Sequence, residues 1–248
     1  MRVPSLGVVL HLAVISAVIG DDAPPPRWTL TAECQMVILP AKLAATVVPA
    51  LSDDGTIEQA WEKLQPQIAS GEVKLVSQLH LKGNTGKKLE TQTAEGLPYP
   101  TEFNPPQAPN NVPVPPEQLK NWPLVGFAPT ALEWREVGTR LELQAEASAD
   151  GQLLDAQITP QHVRFLRFVK YDAGVLPNGD HLSISQPIFH TCRSNLSLYL
   201  RSGQRVLVGI HTLPADEGVE LFLLRITTHP VPSIAVKVNA PVKTGPQP

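Results

Sequence analysis

The sequence has few charged and few aromatic residues. Asp, Glu, Lys and Arg make up 17% of its 248 residues, and aromatic residues make up 5%. Lys and Arg number 20 against 23 for Asp and Glu, so the formal net charge is −3. This balance argues against a nucleic-acid surface, which requires a basic patch. With 42% hydrophobic residues, the chain has too few charges to be wholly disordered and enough apolar material for one large or two small domains.

Long hydrophobic runs are also scarce, and the longest one is N-terminal. Arg2 is followed by an apolar run over 3–19, then by Gly20 and two Asp residues. This order predicts a secretory signal peptide, residues 1–20, cleaved after Gly20. An uncleaved anchor helix is the alternative, although the run is at the lower end of what spans a bilayer. Residues 21–27 would form a Pro-rich leader.

Cysteine occurs only twice, at Cys34 and Cys192. An exported protein reaches a compartment that permits disulfides, so the two residues are a possible disulfide pair. The alternative is that both are small buried residues without a bond, since free cysteine is commonly buried. The sequence leaves both possibilities open.

Proline, in contrast, is abundant. Ten of the 26 prolines fall between Leu97 and Thr130, and proline lacks the N–H that helices and central strands need. Residues 97–130 are therefore predicted to form a crossing loop. The tail, 231–248, is expected to be disordered.

Alternating and helical patterns predict a β-rich α+β domain over 28–230, with a mostly antiparallel sheet and two N-terminal helices. The helices are expected at 41–51 and from Thr56 to Gly71, where Thr56 and Gln59 would form a capping box. Two hairpins are expected, one turning at 83–86 and one at 202–204, and a further turn at Asp150-Gly151 leads from the strand at 139–147 into a returning strand at 153–159. Strands are predicted at 28–39, 73–81, 87–93, 139–147, 153–159, 195–201, 205–210 and 220–227.

The segment 163–171 carries a cation at every third position: Arg164, Arg167 and Lys170. One interpretation is an amphipathic edge that touches a partner or an anionic surface. The simpler interpretation is a core strand with cations at its exposed positions, because charge often protects strand edges.

Sequence motifs for catalysis or metal binding are scarce. The histidines outside the signal peptide lack the short spacing of a zinc site, and His181 and His190 would meet only if a loop folded back. No serine lies in a nucleophile elbow. We therefore expect no catalysis, no metal and no cofactor.

Several segments resemble, in order, the motifs of the bacterial secretin family, which forms outer-membrane rings in type II and III secretion and type IV pilus systems. The segments are 58–75, 86–89, 97–103, 136–143, 154–161, 186–193, 202–209 and 220–227, in a form similar to planctomycete and verrucomicrobial secretin-like proteins. The positions matching family motifs are Gly86, Val137, Gly138, Pro160, Gln186, Pro187, Arg193, Gly203, Gln204 and Gly209.

The chain departs from the family between Gly209 and the last strand, where the family has a second glycine and a proline- and glycine-bearing stretch. Here 210–218 lead almost directly to the last strand, and fewer than 40 residues precede the family-like helix. The resemblance therefore implies a shortened secretin-like domain rather than a full channel.

It also implies a role in protein secretion through binding and assembly in the periplasm or at the outer membrane of a Gram-negative-type bacterium. The expected partners are proteins of a secretion or pilus system and copies of the chain itself, and we expect no nucleic acid. The alternative is a stand-alone periplasmic binding or scaffolding module without channel formation.

Overall fold

The computed structural model describes residues 28–104, 126–175 and 181–231. The predicted signal peptide, the leader 21–27 and residues 232–248 of the predicted tail lie outside the described residues. Among the helices described, none is long and apolar enough to cross a membrane.

The described chain is β-rich α+β, as predicted, with two helices near the N-terminus and antiparallel strands elsewhere. A single 3₁₀ turn, Pro214–Asp216, precedes the last strand. The elements are β1 Trp28–Leu39, α1 Ala41–Leu51, α2 Ile57–Ser70, β2 Lys74–Asn84, β3 Lys88–Asn104, β4 Ala128–Ala147, β5 Leu153–Val175, β6 His181–Arg193, β7 Leu196–Arg201, β8 Arg205–Thr212 and β9 Val219–Pro230.

The elements form three layers. A four-stranded sheet has the order β2-β1-β9-β8, and a five-stranded sheet has the order β3-β4-β5-β6 with β7 paired to β5. The helices cover one face of the four-stranded sheet, and the five-stranded sheet covers its other face. Because both faces of β9 are covered, it is buried almost continuously over 220–226. The core between the sheets includes Leu30, Met36, Leu141, Leu154, Ile158 and Phe222.

Both helices have the predicted bounds to within a residue, but the predicted capping box is absent. Thr56 lies in the helical region, at φ −117° and ψ −12°, and makes no side-chain cap bond. Its hydroxyl donates instead to the carbonyl of Ala50 at 2.8 Å. A capping side chain needs an extended backbone to reach back to the helix, so the helical conformation of Thr56 explains the difference. Gly71 ends α2 in the left-handed conformation, as predicted.

Charged contacts attach α2 to the four-stranded sheet. Glu58 accepts a hydrogen bond from Arg225 at 2.6 Å and lies 3.5 Å from Arg205. Arg205 donates to Gln35 at 2.8 Å and stacks over the Trp61 ring at 4.8 Å. Partial burial alone would raise the pKa of Glu58, but the hydrogen bond and charge of Arg225, together with Arg205, lower it below its usual value.

The two predicted hairpins are wrong, because each turn carries the chain from one sheet to the other. Before the first turn β2 pairs with β1, and after it β3 pairs with β4. Before the second turn β7 pairs with β5, and after it β8 pairs with β9. In each turn a glycine N–H donates to a strand of the sheet that the chain enters, Gly86 to the Ala145 carbonyl in β4 at 2.8 Å and Gly203 to the Ile226 carbonyl in β9 at 2.7 Å.

The predicted loop 97–130 is also wrong at both ends. Strand β3 continues through Pro98 and Pro100 to Asn104, and β4 begins at Ala128. An edge strand tolerates proline because its outward N–H groups have no ladder partner, and β3 is the edge of its sheet. The middle of the predicted loop, 105–125, lies outside the described residues.

Candidate functional site

The five-stranded sheet divides into two strand pairs that extend beyond the core. The ladder between β4 and β5 covers Gly138–Ala147 and ends at the pair of Gly138 with Val163. Beyond that pair, β4 is bonded only to β3 and β5 only to β6. We call residues 97–104 and 128–137 the first arm, and residues 164–175 and 181–191 the second arm.

Gly138 marks the division of the sheet. Its φ is +142°, which only glycine adopts readily. A Cβ at this position would overlap the carbonyl oxygen of Thr93 in the neighbouring strand. The chain can therefore bend away from β5 here while β3 and β4 remain paired.

The first arm exposes an apolar face. Leu132 is 60% exposed and Trp134 is 69% exposed. They pair with Pro100 and Pro98, respectively, and the Trp134 ring lies over Gly96. Because residues paired across strands share a face, these five residues form one exposed apolar surface.

The second arm also exposes large apolar side chains. Phe168, Tyr171 and Val175 are 50%, 54% and 59% exposed. A register shift between Phe165 and Arg167 moves the alternation by one residue, so Arg164 and Arg167 share one face of the strand and Lys170 lies on the other. The segment is therefore not a core strand, which was the simpler of the two interpretations.

The two arms touch each other through their inner faces. The rings of Tyr99 and Phe189 are 5.9 Å apart, and the Gln186 amide donates to the Pro100 carbonyl at 3.0 Å. These contacts are aromatic and polar, and they hold the arms together without a backbone ladder.

Charged groups on the arms sit at their surface. The Tyr99 hydroxyl donates to Glu133 at 3.0 Å, and that hydrogen bond raises the pKa of Tyr99. In the second arm, the Gly174 N–H and then His181 lower the pKa of Asp172. Because these groups are solvated, they orient side chains more than they stabilise the arms.

The family-motif positions do not meet at one site. Gly86 and Gly203 occupy the two sheet-crossing turns, with φ of +75° and +82°. Gly209 lies at a bulge in β8, where a Cβ would come within 2.8 Å of Phe222. Gly138 divides the arms. These glycines therefore shape the backbone at turns, at a bulge and at the division.

The remaining motif positions are dispersed along the strands. Val137 lies beside Gly138, and Gln186 joins the arms as described. Pro160 is buried in β5 and accepts the Ser194 N–H. Their role in assembly stays a prediction, as it does for Pro187 in the second arm, the exposed Arg193, and Gln204, whose side chain accepts the Arg201 N–H.

Cys34 and Cys192 are both free and buried, so the disulfide that the sequence left open is not formed. Cys34 pairs with Leu224 in the four-stranded sheet, whereas Cys192 pairs with His162 in the five-stranded sheet. Burial raises the pKa of each thiol to about 12.

Sequence reasoning missed a polar cluster between the sheets. Residues of β5, β6, β8 and β9 meet there, because His162 pairs with Cys192 in one sheet and His211 pairs with Glu220 in the other. The placement of His190 and Cys192 on one face of a strand was the available indication. We call His162, His190, Cys192, His211 and Glu220 the inter-sheet cluster.

Hydrogen bonds connect the inter-sheet cluster across the interface. His162 Nδ1 lies 2.6 Å from Glu220 Oε1, and His211 Nε2 lies 3.2 Å from Ser194 Oγ. Burial, together with the charge of His190, lowers the pKa of His211 despite the nearby Glu220. His181, in contrast, lies in the second arm beside Asp172.

Comparison with known proteins gives likeness only to solved structures, since no family model and no curated protein matches. The type IV competence pilus secretin PilQ of V. cholerae is similar with a TM-score of 0.40 at 10% identity, over 85% of this chain and 62% of that chain. The type II secretion system secretin GspD of E. coli K12 is similar with a TM-score of 0.37 at 10% identity, over 82% of this chain and 50% of that chain. The secretin XcpQ of Pseudomonas aeruginosa is similar with a TM-score of 0.37 at 12% identity, over 83% of this chain and 60% of that chain. The chain spans about half the length of GspD. It is thus similar to secretin structures over most of its length, as its motifs predicted.

Proposed function

We propose that this protein is a secretin-like component of the cell envelope, in a type II or III secretion or type IV pilus-type system, and that it acts by assembling rather than by catalysis. The observation that carries the proposal is the pair of arms. Each arm presents large apolar side chains to solvent beyond the core, and contiguous exposed apolar surface is typical of protein interaction sites.

The strand order supports assembly with copies of the same chain. In the described part of the chain, β3 and β6 end the main path of the five-stranded sheet. Neighbouring strands on that path are antiparallel, so β3 and β6 run in opposite directions. A β6 edge placed beside the β3 edge of a second copy would continue the antiparallel order. Such a head-to-tail contact closes into a ring when the rotation per copy permits.

The contact would be specified more by side chains than by a continuous ladder. Pro98 and Pro100 remove two N–H groups from β3, and the Pro100 carbonyl already accepts a bond from Gln186. Leu132 and Trp134 provide apolar area next to this edge. The predicted export of the chain would bring these surfaces to the periplasm or outer membrane, where proteins of the secretion or pilus system are the expected partners.

The test is to express the full chain in its native type of host, separate the membrane and soluble fractions, and measure its mass in mild detergent. We expect membrane-associated multimers that resist heat or detergent. Trp134→Glu should reduce the multimer fraction at least about tenfold, because a buried unpaired charge is costly. The control is Tyr199→Glu, since Tyr199 is 82% exposed but lies in β7, away from the arms.

A monomer confined to the soluble periplasmic fraction would contradict assembly and favour the alternative binding or scaffolding module. Equal loss of multimers in both variants would show that the arms are not the contact. Circular dichroism of each variant separates loss of assembly from loss of folding.

A further inference from the structure

The two helices leave an apolar cavity between them that the proposed assembly does not use. Its volume is about 440 Å³, within the range of small-molecule sites, roughly 300–1,000 Å³. The apolar residues that line it are Leu43, Val47 and Ala50 of α1 and Ala60 and Leu64 of α2. We call this cavity the helix crevice.

The spacing of these residues explains why the crevice forms. Leu43, Val47 and Ala50 recur after four and three residues, and Ala60 and Leu64 are four apart, so each helix turns one apolar stripe toward the other. The stripes also border the apolar cluster between the helices and the four-stranded sheet. Two of the five positions are alanine, and their short side chains leave the space open.

The crevice is recessed, in contrast to the apolar faces of the arms. Among the described residues, the large apolar side chains that are exposed all lie outside α1 and α2. Leu64 is buried, and Leu43 and Val47 are half-buried. A partner helix would therefore find little apolar surface to cover, whereas a slender alkyl chain could enter the recess. The shape favours a single-chain ligand.

The two ends of the crevice differ. The helices are joined by the short link 52–56, which is typical of antiparallel neighbours. At the link, the Thr56 hydroxyl donates to the Ala50 carbonyl at 2.8 Å and joins the helices. Lys63 and Gln67 lie farther along α2, one turn apart, and also line the crevice. An alkyl chain would therefore point toward the link, with its polar head toward Lys63 and Gln67.

The polar lining selects an anionic head. Lys63 is the one ionisable residue among the described residues that line the crevice, so no carboxylate there opposes an anion. The Gln67 side-chain oxygen is buried and has no hydrogen-bond partner among the described residues. When a glutamine amide turns over, its NH₂ group takes the place of its oxygen, and Gln67 could then donate to an oxygen of the ligand.

We propose that the helix crevice binds one long-chain fatty acid, with the alkyl chain between α1 and α2 and the carboxylate at Lys63. Transfer of the alkyl chain from water into the recess supplies most of the affinity. The Lys63 ammonium pairs with the carboxylate at the rim, where solvent weakens the attraction. Binding is noncovalent and lies apart from both arms.

The test is calorimetric titration of the full chain with dodecanoate below its micelle concentration. We expect one dodecanoate per chain. Decanoate, which is two methylenes shorter, should bind about tenfold more weakly, because it transfers less apolar surface from water. Dodecanol, which lacks the charge, should bind about two- to fivefold more weakly, as expected for loss of a partly exposed ion pair.

Matched substitutions place the ligand in the crevice. Ala50→Leu fills the space between the helices and should weaken dodecanoate binding by more than about tenfold, because packed side chains leave no room for the ligand. Ala45→Leu, on the exposed side of the same helix, should leave binding unchanged. Circular dichroism checks that both variants fold.

A second pair of variants keeps the proposal testable if Ala50→Leu fails to fold. Lys63→Gln, at an exposed position, should weaken dodecanoate binding about two- to fivefold and leave dodecanol binding unchanged. Lys42→Gln is the control, since Lys42 is also exposed but does not line the crevice. Equal effects of the two lysine substitutions would contradict the placement of the carboxylate.

Three further results would overturn the proposal. The first is no binding of dodecanoate, or several equivalents per chain, in the unsubstituted protein. The second is equal binding by Ala50→Leu and Ala45→Leu. The third is affinity for phosphatidylglycerol vesicles without affinity for free dodecanoate, which would indicate a membrane surface as the ligand. Trp134→Glu should keep dodecanoate binding, so failure of the proposed assembly and failure of this site are distinguishable.

Discussion

The two halves of β5 differ in what surrounds them, although they belong to one continuous strand. In the half that pairs with β4, Leu154, Ala156 and Ile158 are fully buried between the sheets. In the half that forms the second arm, Phe168 and Tyr171 are at least half exposed. Apolar side chains alone therefore do not define a core; in β5 they are buried only where the second sheet faces them.

The same contrast exists in β4, where the core half follows Gly138 and the arm half precedes it. Leu141, Leu143 and Ala145 are buried, whereas Leu132 and Trp134 are exposed. The core half thus contributes stability, and the arm half remains available for binding. Three pairs of substitutions test how these regions and α2 contribute to stability, from the largest expected effect to the smallest.

The largest effect is expected at the division between the halves. Gly138→Ala should lower the free energy of unfolding by about 4 kcal/mol or more, because the new Cβ overlaps the Thr93 carbonyl and φ is unfavourable. Gly174→Ala is the matched control: its φ is +129°, but nothing lies within 4 Å of the new Cβ. It should cost only about 1–2 kcal/mol. Urea unfolding measures the free energy of unfolding of both variants. Equal costs would contradict a steric requirement for glycine at the division of the sheet.

A second comparison uses one residue from each half of β5. Ile158→Ala should lower the free energy of unfolding by about 2–5 kcal/mol, because it leaves a cavity between the sheets. Phe168→Ala should cost less than about 1 kcal/mol, because half of the side chain is already in water. A larger cost for Phe168 than for Ile158 would show that the arm belongs to the cooperative core.

The smallest effect concerns the contact between α2 and the core. Glu58→Gln should cost no more than about 1 kcal/mol, because the carboxylate is partly exposed. The pKa of Glu58 is lowered in the folded state, so its contribution is complete above the unfolded pKa of about 4.3 and is lost as the pH falls through the folded value. Glu62→Gln, on the exposed side of the same helix, is the control and should show little effect. A cost of Glu58→Gln that grows on acidification would be opposite in sign to this expectation.

Much of the fold could be predicted from local pattern. The bounds of β1 and α1 match the predicted ones, and Gly71 ends α2 as expected. These elements are set by alternation, helical spacing and a left-handed glycine, all of which act over a few residues. The strand pairing around the turns at 83–86 and 202–204 could not be predicted in the same way. A turn sequence fixes the bend but not the strand with which each flanking segment pairs.

The candidate sites show the same limit. The exposed face of the first arm depends on the pairing of Trp134 with Pro98, 36 residues apart, and a proline-rich sequence gave no reason to expect a strand there. The inter-sheet cluster depends on contacts between strands of different sheets. Only His190 and Cys192, two residues apart on one strand, were close enough for the sequence to indicate part of it.

The alternating apolar residues and the helical spacing near the N-terminus determined a β-rich domain with two helices, because these patterns act through burial and local backbone preference. The tertiary structure alone decided which strands pair, where the five-stranded sheet divides and which apolar residues stay exposed. Those outcomes depend on competition among distant segments for the same partners and the same core, and no local pattern records that competition.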